Sequence, residues 1–85
     1  IKKIIDLLFD NYTIRLSQVI PSITESDLQI CCLIKLRFSN PTIASILNIS
    51  PQSVSKRKFR LKDRITQKLG SLGESHTLDL WLLEF

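Results

Sequence analysis

Glycine, histidine and cysteine are scarce in this chain, and each scarcity excludes a class of functional site. The 85 residues include two glycines, one histidine and two adjacent cysteines. Two glycines are too few for a loop that cradles phosphate through backbone amides. One histidine and a pair of neighbouring cysteines cannot supply the spaced ligands of a metal site. We therefore predict no metal, no cofactor, no small-molecule ligand and no enzymatic activity.

Long apolar runs are also missing. The longest, residues 30–34, has five residues, whereas a membrane-spanning helix needs roughly 20. No stretch has the charged, apolar and small-residue order of a signal peptide. Adjacent cysteines on a helix point to different sides and cannot form an undistorted disulfide, so Cys31 and Cys32 are expected to be reduced core thiols. These observations predict a cytoplasmic protein without a membrane partner.

Positive charge is abundant, and it is concentrated in one place. The composition, 44% hydrophobic and 24% charged, is that of one small globular domain with a net charge of +4. Residues 56–68, called the cationic stretch below, carry a local charge of +6, and the other 72 residues carry −2. The cationic stretch has seven cations: Lys56, Arg57, Lys58, Arg60, Lys62, Arg64 and Lys68. A polyanionic partner is expected for this stretch.

Apolar periodicity and capping signals predict only helices. Apolar residues recur at helical spacing over residues 1–19, which predicts one long N-terminal helix. Thr24 is a predicted N-cap of a strongly apolar second helix. Proline follows Asn40 and Ser50, and both pairs are helix-start signals. Thr77 is the predicted cap of a short C-terminal helix. The fold predicted is all-α, with four to five helices.

Three residues have the spacing of a DNA-binding helix-turn-helix. Ala44 is small enough for two helices to cross closely, Asn48 tolerates a left-handed turn, and Val54 anchors the second helix in the core. In such a motif the second helix lies in the major groove. The predicted architecture is therefore a helix-turn-helix bundle in which the second helix of the motif, about residues 51–69, contains the cationic stretch.

The same residues resemble a known family. Residues 38–54 read Phe-Ser-Asn-x-x-Ile-Ala-x-x-Leu-Asn-Ile-Ser-x-x-x-Val, and residues 23–27 read Ile-Thr-x-x-Asp. This pattern is similar to the helix-turn-helix of LuxR/GerE-type transcriptional regulators, in particular the C-terminal output domain of Bacteroidetes regulators. The likeness covers roughly residues 12–69. It implies a recognition helix that opens at Pro51, and a long first helix that links to an upstream sensor or repeat domain or to a second subunit.

Three positions depart from the family's pattern. Arg37 stands where the family has glycine, so the helix before it needs a non-glycine cap. Pro41 and Thr42 replace a Lys-Glu pair, which removes a cation and a capping carboxylate. Lys58 occupies a position that is apolar and core-facing in the family, from which a lysine stem can extend towards solvent.

A helical wheel of residues 51–69 separates a core side, with Val54, Leu61 and Ile65, from an outer side. Base edges are read from the first turns of such a helix, which predicts base contacts from Gln52, Ser55, Lys56 and Phe59. Phe59 has an alternative, packing on a neighbouring helix. Phosphate contacts are predicted from side chains and amides at helix borders and helix starts: Asn40, Thr42, Ser53, Arg57, Arg60, Lys62 and Arg64.

The chain divides into three predicted segments. Residues 1–20 are a linker or dimerisation helix, residues 21–70 the DNA-binding domain, and residues 71–85 a tail helix that either packs on the domain or binds a partner. The apolar stripe of the first segment either forms a homodimer or packs intramolecularly. A homodimer is expected, because one small module gives little specificity. Tyr12 in this stripe is expected to pack with its hydroxyl at the surface. Ile1 lies within the predicted helix, which predicts an upstream domain.

The predicted function is sequence-specific binding of double-stranded DNA as the output domain of a bacterial transcriptional regulator. The alternative is a helix-turn-helix-shaped interaction module that binds an acidic protein surface. Duplex DNA binding that weakens with salt distinguishes the first hypothesis from the second.

Overall fold

The computed structural model describes residues 2–73 and 77–85, and its regular elements in these ranges are all helices. The helices are α1 (Lys2–Leu8), α2 (Tyr12–Val19), α3 (Glu25–Lys35), α4 (Asn40–Leu47), α5 (Pro51–Leu69) and α6 (Leu78–Glu84). The predicted all-α class is confirmed over these residues. Ile1, in the predicted N-terminal helix, and residues 74–76, in the predicted tail segment, lie outside the described residues.

The single long N-terminal helix predicted over residues 1–19 is wrong. The chain forms α1 and α2 instead, so the described residues contain six helices rather than four to five. Asp10 and Asn11 between them have positive φ angles, 55° and 58°. The Asp6 carboxylate accepts hydrogen bonds from the backbone N–H and the hydroxyl of Thr13, both at 2.7 Å. Asp6 therefore caps α2 from the preceding helix, and this contact favours the break.

Helix α3 is the centre of the structure. It packs against α1, α5 and α6, and seven of its 11 residues are buried. Thr24 and Asp27 form a reciprocal capping box at its start, as the Thr24 N-cap prediction required. The second group of contacts joins α4 to α5, and α5 packs on the rest of the core chiefly through α3. The position of α5 therefore depends on α3 and α4.

Tyr12 and the C-terminal helix are parts of one buried cluster. Tyr12 is fully buried, and its hydroxyl donates to the backbone carbonyl of Leu82 at 3.0 Å. The prediction of a surface hydroxyl is therefore wrong, and burial raises the pKa of Tyr12 above its ordinary value. Arg15 donates to the carbonyl of Phe85 at 2.7 Å and lies over its ring. Helix α6 completes the core beside α2 and α3.

Arg37 supplies the non-glycine turn expected after the apolar helix. Its φ angle is 68°, in the left-handed region. Its N–H donates to the carbonyl of Ile34 at 2.8 Å, and the N–H of Phe38 donates to that of Leu33 at 3.2 Å. These bonds satisfy carbonyls at the end of α3. The geometry is one that glycine adopts at lower cost than a residue with a Cβ atom.

We predict that Arg37→Gly raises the free energy of unfolding by about 0.5–1 kcal/mol, because glycine removes the left-handed strain. Arg37→Ala is the matched control, since it removes the same charge and side chain but keeps the Cβ atom. Urea unfolding followed by circular dichroism measures both. An equal gain in the two variants would assign the effect to charge and contradict the backbone explanation.

Candidate nucleic-acid interface

Helices α4 and α5 form a closely packed pair joined by residues 48–50. Asn48 ends α4 with φ 58° and ψ 47°, the left-handed conformation that its residue type suggested. Ser50 caps α5 by accepting a hydrogen bond from the backbone N–H of Ser53 at 3.1 Å. Ala44 is 3% exposed and Val54 is fully buried. The small residue and the anchor of the predicted motif are therefore both in the core.

The buried side of α5 matches the helical wheel. Val54, Leu61 and Ile65 are the buried residues of this 19-residue helix. The four predicted base contacts, Gln52, Ser55, Lys56 and Phe59, are all exposed along the first three turns. Phe59 is 74% exposed, so the described chain does not cover it and the alternative of packing on a neighbouring helix is not seen here. The structure thus places the four side chains together on the outer face.

Two of the seven cations in the cationic stretch are engaged by carboxylates. The ammonium of Lys58 contacts both carboxylate oxygens of Asp79 at 3.1 Å and donates to the side-chain oxygen of Asn40. Arg64 forms an ion pair with Asp27, the capping residue of α3. Lys58 thereby connects α4, α5 and α6, and Arg64 connects α3 to α5.

The other five cations have no carboxylate partner among residues 2–73 and 77–85. They are Lys56, Arg57, Arg60, Lys62 and Lys68. Four of them are exposed, and Arg57 is half-buried. A carboxylate partner neutralises part of a cation's charge and holds its side chain within the protein. A cation without such a partner can attract an external anion with its full charge. The charge available for a partner is therefore smaller than the sequence total but lies on one helix.

Three arginines line a shallow cleft between α5 and the start of α3. Its volume is about 300 Å³, and its lining is Thr24, Ser26, Asp27, Arg57, Arg60 and Arg64. A second cleft of about 270 Å³ continues along α5 past Phe59, Arg60 and Asp63. The first lining carries three positive charges against one negative charge, which suits a phosphate-sized anion. The sequence interpretation missed Thr24 and Ser26, because their place beside α5 depends on how α3 packs.

The predicted phosphate contacts on α4 and at the start of α5 have structural roles as well. Ser39 and Thr42 share a hydrogen bond between their hydroxyls at 3.0 Å, and Ser50 and Ser53 share one at 2.9 Å. The Asn40 side chain accepts from Lys58. The backbone N–H groups of Thr42 and Ser53 already donate to the hydroxyls of Ser39 and Ser50, and Pro41 and Pro51 have no N–H. What the two helix starts present to an anion is therefore chiefly the amides of Asn40 and Gln52, at the positive ends of the helix dipoles.

The two cysteines show the burial expected of core thiols. Cys31 and Cys32 are free and buried. Burial raises the pKa of both, that of Cys32 to about 11, so each is a neutral thiol at pH 7. Over residues 2–73 and 77–85, no three of the residues His, Cys, Asp or Glu are grouped so as to hold a metal ion. None of the helices described has the length and apolar character needed to cross a membrane.

No protein-family model, no curated protein and no solved structure matches the chain.

We predict that Lys58 and Asp79 are energetically coupled, because the Lys58 side chain is only 13% exposed while Asp79 is 53% exposed. In a double-mutant cycle of Lys58→Ala and Asp79→Ala, urea unfolding should give a coupling of about 0.5–1 kcal/mol. The matched cycle of Lys56→Ala with Asp79→Ala should give none within error. Equal couplings in both cycles would mean that the effect is general charge and not this contact.

Proposed function

We propose that the protein binds double-stranded DNA in a sequence-specific way, with α5 as the recognition helix of a helix-turn-helix. One observation carries the proposal. The exposed sides of α5 carry four base-reading candidates and four cations without carboxylate partners among the described residues, while Val54, Leu61 and Ile65 anchor the helix in the core. A solvated helix face would normally place opposite charges near one another. On α5 the cations without carboxylate partners can instead bind a polyanion.

The geometry of the α4–α5 pair supports insertion of α5 into the major groove. Helix α5 has 19 residues and is about 28 Å long at the usual rise, and the groove admits one α-helix. Gln52 suits adenine, and Lys56 suits guanine. Phe59 suits the methyl group of thymine, and contact with a base would remove a 74% exposed ring from water. The start of α5, where Gln52 lies, is the part that would go deepest into the groove.

Phosphates would be held on both sides of the recognition helix. Arg57 and Arg60 line the cleft beside α3, and Lys62 is exposed on α5. Arg64 adds a charge that it already shares with Asp27, so its contribution is smaller. The amides of Asn40 and Gln52, at the starts of α4 and α5, provide uncharged phosphate contacts, whereas Thr42 and Ser53 would contact phosphate through hydroxyls that they share with their caps. These contacts fix the register, and the base contacts set the sequence preference.

The LuxR/GerE-like pattern supports a biological role for this DNA binding. We propose an output domain of a bacterial transcriptional regulator that acts in the cytoplasm and receives its signal from an upstream sensor or repeat domain. Arg37 stands at the end of α3 where the family pattern has glycine, but Arg37 adopts the left-handed conformation for which glycine is usually needed. Lys58 replaces an apolar residue but is held by Asn40 and Asp79. Both departures are therefore compatible with the proposed arrangement.

A second candidate function is binding of an acidic protein surface. The observation in its favour is Phe59, a 74% exposed aromatic ring among cations, since aromatic residues and arginine are enriched at interface hot spots. Binding of duplex DNA separates the two functions. An acidic-protein module should bind random duplex DNA weakly or not at all, with no systematic dependence on salt.

We predict that Arg60→Ala weakens binding to random duplex DNA and lowers the slope of log K against log salt by about 1, because one phosphate contact is lost. The measurement is fluorescence anisotropy between 50 and 200 mM salt, a range suggested by the known salt dependence of such complexes. Lys2→Ala is the control, since it removes one positive charge on α1, where Lys2 pairs with Glu25. An unchanged slope in Arg60→Ala, together with an unchanged affinity of Lys56→Ala for its selected duplex sequence, would remove the basis of the proposal.

We predict that Gln52→Ala and Lys56→Ala change the preferred sequence rather than general affinity. Each lost base contact should cost about 1–3 kcal/mol on the best selected duplex and much less on random duplex. Selection from a randomised duplex pool, followed by titration of the selected sequence, measures both effects. Ser45→Ala, at an exposed position on α4 outside the predicted contacts, is the control. A loss of equal size on selected and random duplexes would make these residues phosphate contacts.

A further inference from the structure

Four large aliphatic side chains form an exposed patch on α1 and α2. They are Ile4 (59% exposed), Leu7 (85%), Leu8 (64%) and Ile14 (51%), and they are called the α1–α2 patch below. Leu7 and Ile14 share the lining of one cleft of about 290 Å³ with Lys3, Asp6 and Asn11. Single exposed apolar residues are normal, but a contiguous group marks an interaction surface. The buried apolar stripe of α1 and α2 is a separate face, because Ile5, Tyr12 and Leu16 are already in the core.

The charges at the two ends of α1 are self-complementary. Lys3 stands near the start of α1, and Asp10 follows its end. Neither side chain has an ion pair or side-chain hydrogen bond among residues 2–73 and 77–85. If two copies of α1 lie antiparallel, the start of one helix faces the end of the other. Lys3 of each copy then faces Asp10 of the other, with Leu7 near the middle, which is the pattern of a two-fold interface.

We propose that the α1–α2 patch binds a second copy of this chain, with the two α1 helices antiparallel and Lys3 paired with Asp10 across a two-fold axis. A basic or an acidic partner would match only one of the two charges, whereas a second copy matches both. The four aliphatic side chains supply the apolar centre, and the two charge pairs set the direction and register.

The placement leaves α5 free. Helix α1 packs on α2 and α3, whereas the main contacts of α5 are with α3 and α4. The domain measures 31 × 27 × 22 Å, so two copies in contact have centres about one domain width apart. Two domains of this size, side by side, are comparable with the spacing of about 34 Å between half-sites one DNA turn apart. Only this last consequence rests on the proposed function, because the pairing of the two chains does not require DNA.

The first test is the oligomeric state of the 85-residue chain without DNA, by sedimentation equilibrium from about 1 to 200 μM, a range that covers typical weak and moderate dimers. We expect a dimer, and Leu7→Glu should be a monomer over the same range with unchanged helical circular dichroism, because Leu7 is 85% exposed within one chain. Ile46→Glu on α4, at a 51% exposed position, is the matched control and should stay dimeric. A monomeric parent chain, as expected if another segment or partner covers the patch, overturns the proposal, and so does a dimer that Leu7→Glu leaves intact.

The second test is a charge exchange. Lys3→Glu alone and Asp10→Lys alone should each weaken the dimer about tenfold or more, because like charges then face each other twice. A mixture of the two variants should form heterodimers, since each places opposite charges at both contacts, and the double variant should regain the parent affinity. Absence of heterodimers and of this recovery overturns the antiparallel pairing. Arg60→Ala should remain dimeric, so a failure of DNA binding and a failure of dimerisation are observed separately.

Discussion

The burial of α3 is the constraint on which the other helices depend. Seven of its 11 residues are removed from solvent, and they supply the surface against which α1, α5 and α6 pack. A helix buried on several sides can be placed in few ways, because each shift exposes apolar area on one side and creates clashes on another. Its capping residue Asp27 also pairs with Arg64, so the first turn of α3 holds α5 directly. The position of the candidate interface follows from this helix.

Charge on α5 is divided between structure and surface by the carboxylates that the fold brings near it. Asp27 and Asp79 each engage one cation, at points where α5 meets α3 and α6. Partly buried ion pairs orient helices more reliably than they stabilise them, since desolvation offsets much of the attraction. The cations left over have no carboxylate partner among residues 2–73 and 77–85. Their common location on one helix is the basis for proposing a polyanionic partner.

Local signals were sufficient for the elements nearest the candidate site. The caps at Ser39 and Ser50 and the left-handed Asn48 act within a few residues of sequence, and α4 and α5 begin and end where such signals lie. The N-terminal segment could not be predicted in the same way. Its apolar spacing stays helical on both sides of the break, and the break depends on a carboxylate contact between Asp6 and Thr13. Periodicity reports which face is apolar, but not whether the backbone is continuous.

The sequence by itself determined the all-helical class, the concentration of charge in the cationic stretch and the face of α5 that is buried, because each follows from neighbouring residues and a helical repeat. Tertiary structure alone decided which cations remain available and where Tyr12 points. The partners of Lys58, Arg64 and Tyr12 lie 21, 37 and 70 residues away in sequence. Contacts at such separations exist only once the chain has closed on its core, since no local pattern specifies which distant group will be nearest.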